Sequence, residues 1–455
     1  MNDQTNKFNK KAEQIAFDEV HRAKIKFNIG QYDQAVLTGK QRYAYLELAR
    51  QRAANVKHKT LSHLDKYLVE FETNFTANGG KLLWAKHAEE AVELIVKLLK
   101  AENIKKLVKS KSMTSEEVKL NENLEKAGIE AIETDLGEFI VQQAGEKPYH
   151  IVTPAMHKSK EDVADLYYKK FKTPADSTPE EITAYTRQLL RDEFQNAGAG
   201  ITGANFLLAD VGGIAVTENE GNAIMSMAFP KLHIVLVGIE KILPSIDDLD
   251  LFWPLLSTHG TGQPMTVYNS VITGPSAQAG GPHKMVVVML DNGRSKLMAR
   301  KRHRSALGCI RCGACLNVCP VYKNIGGYTY DTTYTGPIGA VITPHMQDMK
   351  SYKHLSFASS LCGQCSEVCP VKIPLHELLL LNRAEAVKEG WTLPSERFVM
   401  TTAARVLNSR SITDMAGSST KNLVLKYFFS KSWGPRRKMP KLAKKSFSQL
   451  WKEKQ

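Results

Sequence analysis

The sequence predicts an α/β protein. A sheet domain follows a mainly helical N-terminal region and precedes a small helical, cysteine-bearing domain and a short helical C-terminal region. Three observations predict this. Candidate strands and helices alternate from about residue 104 and then crowd into a run of strands ending near 290. The first seventy or so residues are rich in Ala, Leu, Lys, Glu and Arg. All seven cysteines of the 455-residue chain lie between 309 and 369.

The elements follow in order. "NKKAEQIAFDEVHRAKIKF" and "YAYLELARQRAANVKHKTL" contain no Gly or Pro and read as helices. "LLWAKHAEEAVELIVKLLKAEN" (82–103) reads as one helix whose face is Trp84, Ala88, Ala91, Val92, Ile95, Leu98 and Leu99. "IKKLVKSKS" reads as a strand. "TSEEVKLNENLEKAG" reads as a helix capped by Thr114, with Glu117 completing a capping box and Gly128 ending it. "IEAIETDLG" and "PYHIVTPA" read as strands, and "STPEEITAYTRQLLRDEF" as a helix with Thr178 at its cap and Pro179 in its first turn. The strands then crowd: "ANFLLADVGGIAVTENEGN", "LHIVLVGIE", "YNSVITG" and "KMVVVML". This places an α/β domain with a mixed or parallel sheet over roughly 70–295. "PSERFVMTTAARVLN" and "NLVLKYFFSKSW" read as short helices.

Composition narrows the function classes. At 43% hydrophobic and 24% charged, the chain reads as an ordinary globular protein. No stretch approaches the ~18 apolar residues of a membrane span, and the polar N-terminus has no signal-peptide core, so the expected compartment is the cytoplasm. The net charge of +14 is uneven. From Lys421 onward there are eleven Lys or Arg against the single acid Glu453, and Arg300-Lys301-Arg302-His303-Arg304 forms a second block. No nucleic-acid motif accompanies this charge, so docking of a partner is expected and nucleic acid is not. Peripheral contact with a membrane stays open.

The cysteines carry the chemistry. An odd number, packed into one short stretch of an otherwise cysteine-free chain, is a metal-site pattern and not a disulfide framework. "CIRCGACLNVCP" (309–320) has the spacing C-x2-C-x2-C-x3-C followed by Pro. That is the run of bacterial ferredoxins, in which the first three thiolates hold one cluster and the fourth holds the other. Zinc prefers two CxxC pairs or cysteine with histidine. "SSLCGQCSEVCP" (359–370) repeats the run with Ser359 where the first cysteine belongs. Crossed ligation gives the first cluster Cys309, Cys312, Cys315 and Cys369. It gives the second cluster Cys319, Cys362 and Cys365. The second cluster's fourth iron is then bound by Ser359 or an outside ligand, left open, or lost to give a 3Fe–4S form; alternatively Ser359 only caps a turn. His303, His345, His354 and His376 lie near in sequence and are alternative ligands, but scattered histidines read first as ordinary surface residues. No GxGxxG dinucleotide signal is present, so the two clusters read as an electron wire.

These runs resemble a known family. "GITGANFLLADVGGIAVTENEGN", "PKLHIVLVGIEKILPSIDDL", "SMTSEEVKLNENLEKAGIEAIETDLGEFIVQ" and "HIVTPAMHKSKEDVADL" are similar to the LUD domain, whose fold is like that of sugar-phosphate isomerases and CoA transferases. With "CIRCGACLNVCPVY", "SSLCGQCSEVCPVKIPL" and "KSFSQLWKEK", nearly the whole chain resembles the B component of the bacterial lactate-utilisation system. The resemblance implies residues 1–70 as an N-terminal helical region, 71–295 as the LUD domain, 300–385 as a ferredoxin-type domain and 386–455 as a helical region with a basic tail. It implies two 4Fe–4S clusters, A and C components as partners, and electron transfer in the oxidation of L-lactate to pyruvate. The chain would be an electron-transfer subunit, not catalytic alone, and no catalytic residue is assigned. The alternative is an enzyme of the CoA-transferase kind, with a carboxylate nucleophile in "TENEGN": Glu218-Asn219 or Glu220-Gly221. The competing expectation is that this stretch is a turn between strands.

Overall fold

A computed structural model describes residues 3–276, 280–434 and 438–454. It divides the chain into two units, the first ending at Ala384 and the second starting at Glu385.

The first unit begins with four helices, Asp3–Ala16, Glu19–Lys40, Leu46–Ser62 and Leu64–Ala77. Asp18 starts the second by accepting the His21 amide. Ten strands follow: β1 (Lys81–Ala85), β2 (Lys106–Lys109), β3 (Glu130–Glu133), β4 (Ala199–Thr202), β5 (Phe206–Leu208), β6 (Gly213–Glu218), β7 (Leu232–Gly238), β8 (Ile242–Leu243), β9 (Tyr268–Ile272) and β10 (Lys284–Leu290). Six of them make a parallel sheet in the order β1-β10-β7-β4-β2-β3. The other four make a mixed sheet, β8-β5-β6-β9.

The central strands β7 and β10 are apolar on both faces because both faces are covered. Ile234 and Val288 face the helices Ala88–Ala101 and Leu120–Lys126 through Ile95, Leu99 and Leu124. Val235 and Val287 face the mixed sheet, together with Phe71 and Phe75 of the fourth helix. The carboxyl ends of β2, β7 and β10 run into Glu117, Glu240 and Arg294, where the cysteine-bearing segment packs. In open α/β sheets that end is where ligands bind.

Three expected elements differ. Residues 82–103 are a strand and then a helix: Trp84 lies in β1, and Ala91, Ile95 and Leu99 form the buried helical face. A five-residue strand beside an equally apolar helix leaves no change of composition at the junction. "TSEEVKLNENLEKAG" is two helices, Met113–Glu117 and Leu120–Lys126, broken at Lys119, which has φ 51°. Its cap is Ser112, whose hydroxyl accepts the Ser115 amide, while Thr114 is buried inside the turn; Gly128, at φ 75°, does end the second helix. "PYHIVTPA" is a turn. The His150 ring accepts the Val152 and Thr153 amides, offering the backbone an alternative to a sheet ladder. The helix Pro179–Asn196 has the expected Thr178 cap, with Glu181 completing the box.

Short helices carry the cysteines: Ala314–Asn317, Pro320–Ile325 and Gln364–Glu367. Between the two motifs lie Gly336–Met346 and Met349–Phe357. The second unit contains Pro394–Asn408, Arg410–Met415, Ser418–Val424, Ser430–Trp433 and Phe447–Lys452. Large apolar side chains, Phe398, Leu407, Met415, Tyr427, Phe428 and Trp451 among them, are exposed there. Arg436 and Arg437 of the basic tail lie outside the described residues.

Candidate metal centre

The two cysteine motifs adopt one backbone conformation. Arg311 and Leu361 are both left-handed, at φ 62° and 54°, and so are Gly313 and Gly363, at φ 80° and 83°. Each glycine opens a four-residue helix. Gly313 is also sterically fixed: a Cβ there would stand 2.9 Å from Val152 and 3.3 Å from His150. Arg311 N donates to Cys309 Sγ at 3.4 Å, and Leu361 N donates to Ser359 Oγ at 3.1 Å. Farther along, Tyr322 N donates to Cys319 Sγ at 3.5 Å and Ile373 N to Cys369 Sγ at 3.3 Å. The motifs therefore match from the first ligand position through the four-residue helix, with Ser359 in the place of Cys309, and part after the fourth, where Cys319 leads into a helix and Cys369 into a turn.

Folding brings the ends of the two motifs together. Cys309, Cys312, Cys315 and Cys369 line one small cavity, together with Ile151, Ile310, Ile338, Val371, Ile373 and Leu375. The other three cysteines form a second group: Cys362 and Cys365 each act electrostatically on Cys319 or are acted on by it. Cys365 is buried, Cys319 half-buried and Cys362 exposed, so this group reaches the surface.

The donor set fits an iron–sulfur cluster. Burial in apolar surroundings pushes the thiols of Cys312 and Cys315 well up, that of Cys369 up to about 12 and that of Cys365 up to about 11. Thiolates so placed need a cation among them, and an iron core supplies it. Amide donors to sulfur, as at Cys309, Cys319 and Cys369, are the hydrogen bonds that tune such clusters.

The wall around the first group is charged. Arg294 forms a bidentate pair with Glu117, at 2.9 and 2.8 Å, and reaches Glu240 at 2.5 Å. Arg311, between two of the cysteines, lies 3.5 Å from Glu240 and stacks on Tyr334 with its guanidinium carbon 4.3 Å from the ring centre. Tyr334 in turn donates to Glu117 at 2.6 Å. Arg50 donates to the Cys369 carbonyl at 2.9 Å. Sequence inspection misses these residues because their partners lie far away along the chain. The left-handed Arg311 is invisible without coordinates.

None of the four histidines lines the cavity. His345 packs its ring on His303 at 4.7 Å and bonds Asn382 at 2.9 Å. His354 bonds the Ser351 carbonyl at 3.1 Å and packs on Phe8, and His376 bonds Ser366 at 2.7 Å. His303 and His354 are buried, not surface residues.

The "TENEGN" stretch joins β6 not to a second strand, as expected, but to a helix, Asn222–Ala228, through Gly221 at φ 74°. Glu218 is half-buried, and both of its oxygens are engaged: the Ala223 amide donates at 2.7 Å and the Ile224 amide at 2.9 Å. Glu220 accepts the Leu136 amide at 2.9 Å, and Asn219 holds Gln263 and the Val267 amide. All three side chains bind protein groups, as in a structural turn.

Two family models match the chain, the LUD domain over residues 68–290 and the 4Fe-4S dicluster domain over 305–373. Fold and site thus define an iron–sulfur protein in which a LUD domain is followed by a dicluster module. Curated relatives are more specific. A Lactate utilization protein B of Bacillus velezensis is 44% identical over 77% of this chain and 74% of its own length. Its namesake in Bacillus subtilis gives the same figures, 44%, 77% and 74%. The one in Bacillus cytotoxicus is 40% identical over 89% of this chain and 88% of its own. The chain belongs to the lactate utilization protein B family and is an iron–sulfur protein of lactate utilisation. Among solved structures, a DUF162 family protein from Deinococcus radiodurans covers 50% of this chain and 98% of its own at 12% identity, with a TM-score of 0.29, too weak an overlap for a fold comparison. Among the described residues, no helix is long and apolar enough to cross a membrane.

Proposed function

We propose that this chain is an electron carrier with two clusters in the oxidation of L-lactate to pyruvate. The observation that carries the reading is the cavity lined by three cysteines of one motif and the last cysteine of the other. Cys309, Cys312, Cys315 and Cys369 are assigned to the first cluster, a 4Fe–4S centre, and Cys319, Cys362 and Cys365 to the second, a 4Fe–4S or 3Fe–4S centre with Ser359 beside its fourth corner. When bound, the clusters supply one-electron storage at two neighbouring places, and lactate oxidation releases two electrons. The residues' part is to shield the first centre with Ile151, Ile338 and Leu375 and to bring the second to the surface at Cys362.

The partners proposed are the A and C components of the lactate-utilisation system, in the cytoplasm. The basic C-terminal unit, with its exposed apolar side chains, suits an acidic partner surface. Glu218, held as a helix cap by two amides, speaks for a structural turn and against a CoA-transferase nucleophile. The test is anaerobic purification with iron and sulfide analysis, then addition of L-lactate with and without the A and C components. Seven or eight irons with matching sulfide, reduced only when the partners are present, are expected. Stoichiometric zinc without sulfide overturns the reading.

A further inference from the structure

Two lysines lie buried beside the first group of cysteines with no acid to pair with. Lys57, on the third N-terminal helix, is 3% exposed, and Lys241, just past β7, is 9% exposed. Lys57 Nζ donates to two main-chain carbonyls, Glu240 O at 2.7 Å and Ile242 O at 3.3 Å. Among the described residues, neither ammonium has a carboxylate within ion-pair distance. Glu240, the acid adjoining Lys241, is already committed to Arg294 and Arg311. Both lysines, and Arg311, feel Cys309 electrostatically. The helix carrying Lys57 packs on the residue before Cys309: a Cβ built on Gly308 would stand 3.6 Å from Lys57 Cβ.

A buried ammonium without a counter-ion is costly, and such groups lose their proton or find an anion. Here burial, with the neighbouring cations adding to it, pulls Lys57 down to about 7 and Lys241 to about 8. The local charge count shows what is missing. The cations Lys57, Lys241, Arg294 and Arg311 face only two anions, Glu117 and Glu240. A cluster held by four thiolates is a net anion, and reduction adds one more negative charge to it. It is the anion that this wall lacks. The cations at the second group are nearer the surface: Lys323, which acts on Cys319, is half-exposed and already paired with Asp33 at 2.9 Å, and Arg383, also half-exposed, donates to the Ser359 carbonyl at 2.7 Å.

We propose that Lys57 and Lys241 are the buried counter-charges of the first cluster and set its reduction potential apart from that of the second. The proposal rests on the two-cluster reading. A fixed positive charge in a low-dielectric wall favours the reduced, more negative state, so it raises the potential of the nearer cluster. The N-terminal helical region thereby supplies a positioning residue for a centre some 250 residues along the chain, acting through charge and not ligation.

The test is a redox titration of the full chain, purified anaerobically, followed by electron paramagnetic resonance. Lys57→Met should lower one of the two cluster potentials and leave the other in place. The expected shift is at least tenfold in the reduction equilibrium, about 59 mV for a one-electron couple. Lys57→Arg, which keeps the charge, should restore the wild-type value. Two unchanged potentials, two equal shifts, or no rescue by arginine would each overturn the proposal. If Lys57→Met loses iron, Lys241→Met carries the same expectation, and unchanged potentials there overturn it. A wild-type protein lacking iron and sulfide would instead refute the two-cluster reading.

Discussion

The hydroxyl of Ser359 stands where Cys309 holds its thiol: each accepts the amide two residues on, Leu361 N at 3.1 Å and Arg311 N at 3.4 Å, beneath a left-handed residue. The second motif thus keeps the ligand loop and changes the ligand atom. With oxygen in place of thiolate, the second cluster should be the oxidation-prone one. Mild air exposure should convert it to a 3Fe–4S form, seen by electron paramagnetic resonance, while the first cluster persists. Ser359→Cys should suppress the conversion and lower that cluster's potential, because a thiolate adds negative charge. Identical spectra before and after air in both proteins would count against this account.

Glu218 anchors the Asn222–Ala228 helix through two amide donors. Glu218→Ala should cost about 1–2 kcal/mol, as loss of a helix cap does. Iron content and lactate-dependent reduction should stay near wild type. Thermal unfolding and iron analysis of the same preparations check both halves. Loss of activity in a folded, iron-loaded variant would revive the carboxylate nucleophile.

Stability should fall as the solution becomes mildly acid. His233, inside β7 and bonded to Thr202 at 2.8 Å, is held neutral by burial, its pKa pulled down to about 3. His259 is likewise pulled down to about 4. In the unfolded chain a histidine takes up its proton near 6.5. A folded pKa below the unfolded one means that stability is complete above about 6.5 and is lost as pH falls toward the folded value. Each histidine contributes a slope of about 1.4 kcal/mol per pH unit in that window. Denaturant melts between pH 8 and 5 should show the decline, and His233→Gln should remove one proton from the slope. A flat profile would show that the rings are hydrated.

Docking should be salt-sensitive. Lys441, Lys444 and Lys452 are exposed in a unit whose helices Pro394–Asn408, Arg410–Met415, Ser418–Val424 and Phe447–Lys452 bury no side chain. Reversing Lys441 and Lys444 to Glu should weaken capture of the A and C components on the order of tenfold at low salt, with the difference shrinking as screening increases. Iron content should not change. Pull-down over a salt series measures this, and equal capture by the reversed variant would place the docking surface elsewhere.

How much could be read from the sequence depended on the range of the interaction. The cysteine spacing and the gap at Ser359 are local patterns, and so is the Thr178 cap, whose box closes within three residues. Ser112, Thr114 and Ser115 were all chemically able to cap the next helix, and only the backbone selects Ser112. His150 diverts its own segment from a strand through bonds to residues two and three away, a competition that apolar periodicity does not register. Nothing local in the sequence sets Lys57 or Lys241 apart from other lysines. Their burial follows from tertiary packing that brings them together from 184 positions apart.

Strand β1 has one neighbour, β10. Leu83 must wait for Val288 before its backbone is paired. During synthesis at ~5–20 residues per second, the roughly 200 intervening residues leave β1 an unpaired, apolar edge for roughly 10–40 s. A nascent chain stopped anywhere before β10 exposes that edge permanently. Truncated products of this protein should therefore aggregate or be degraded, and the N-terminal helices cannot be cut away with β1 as an independent domain.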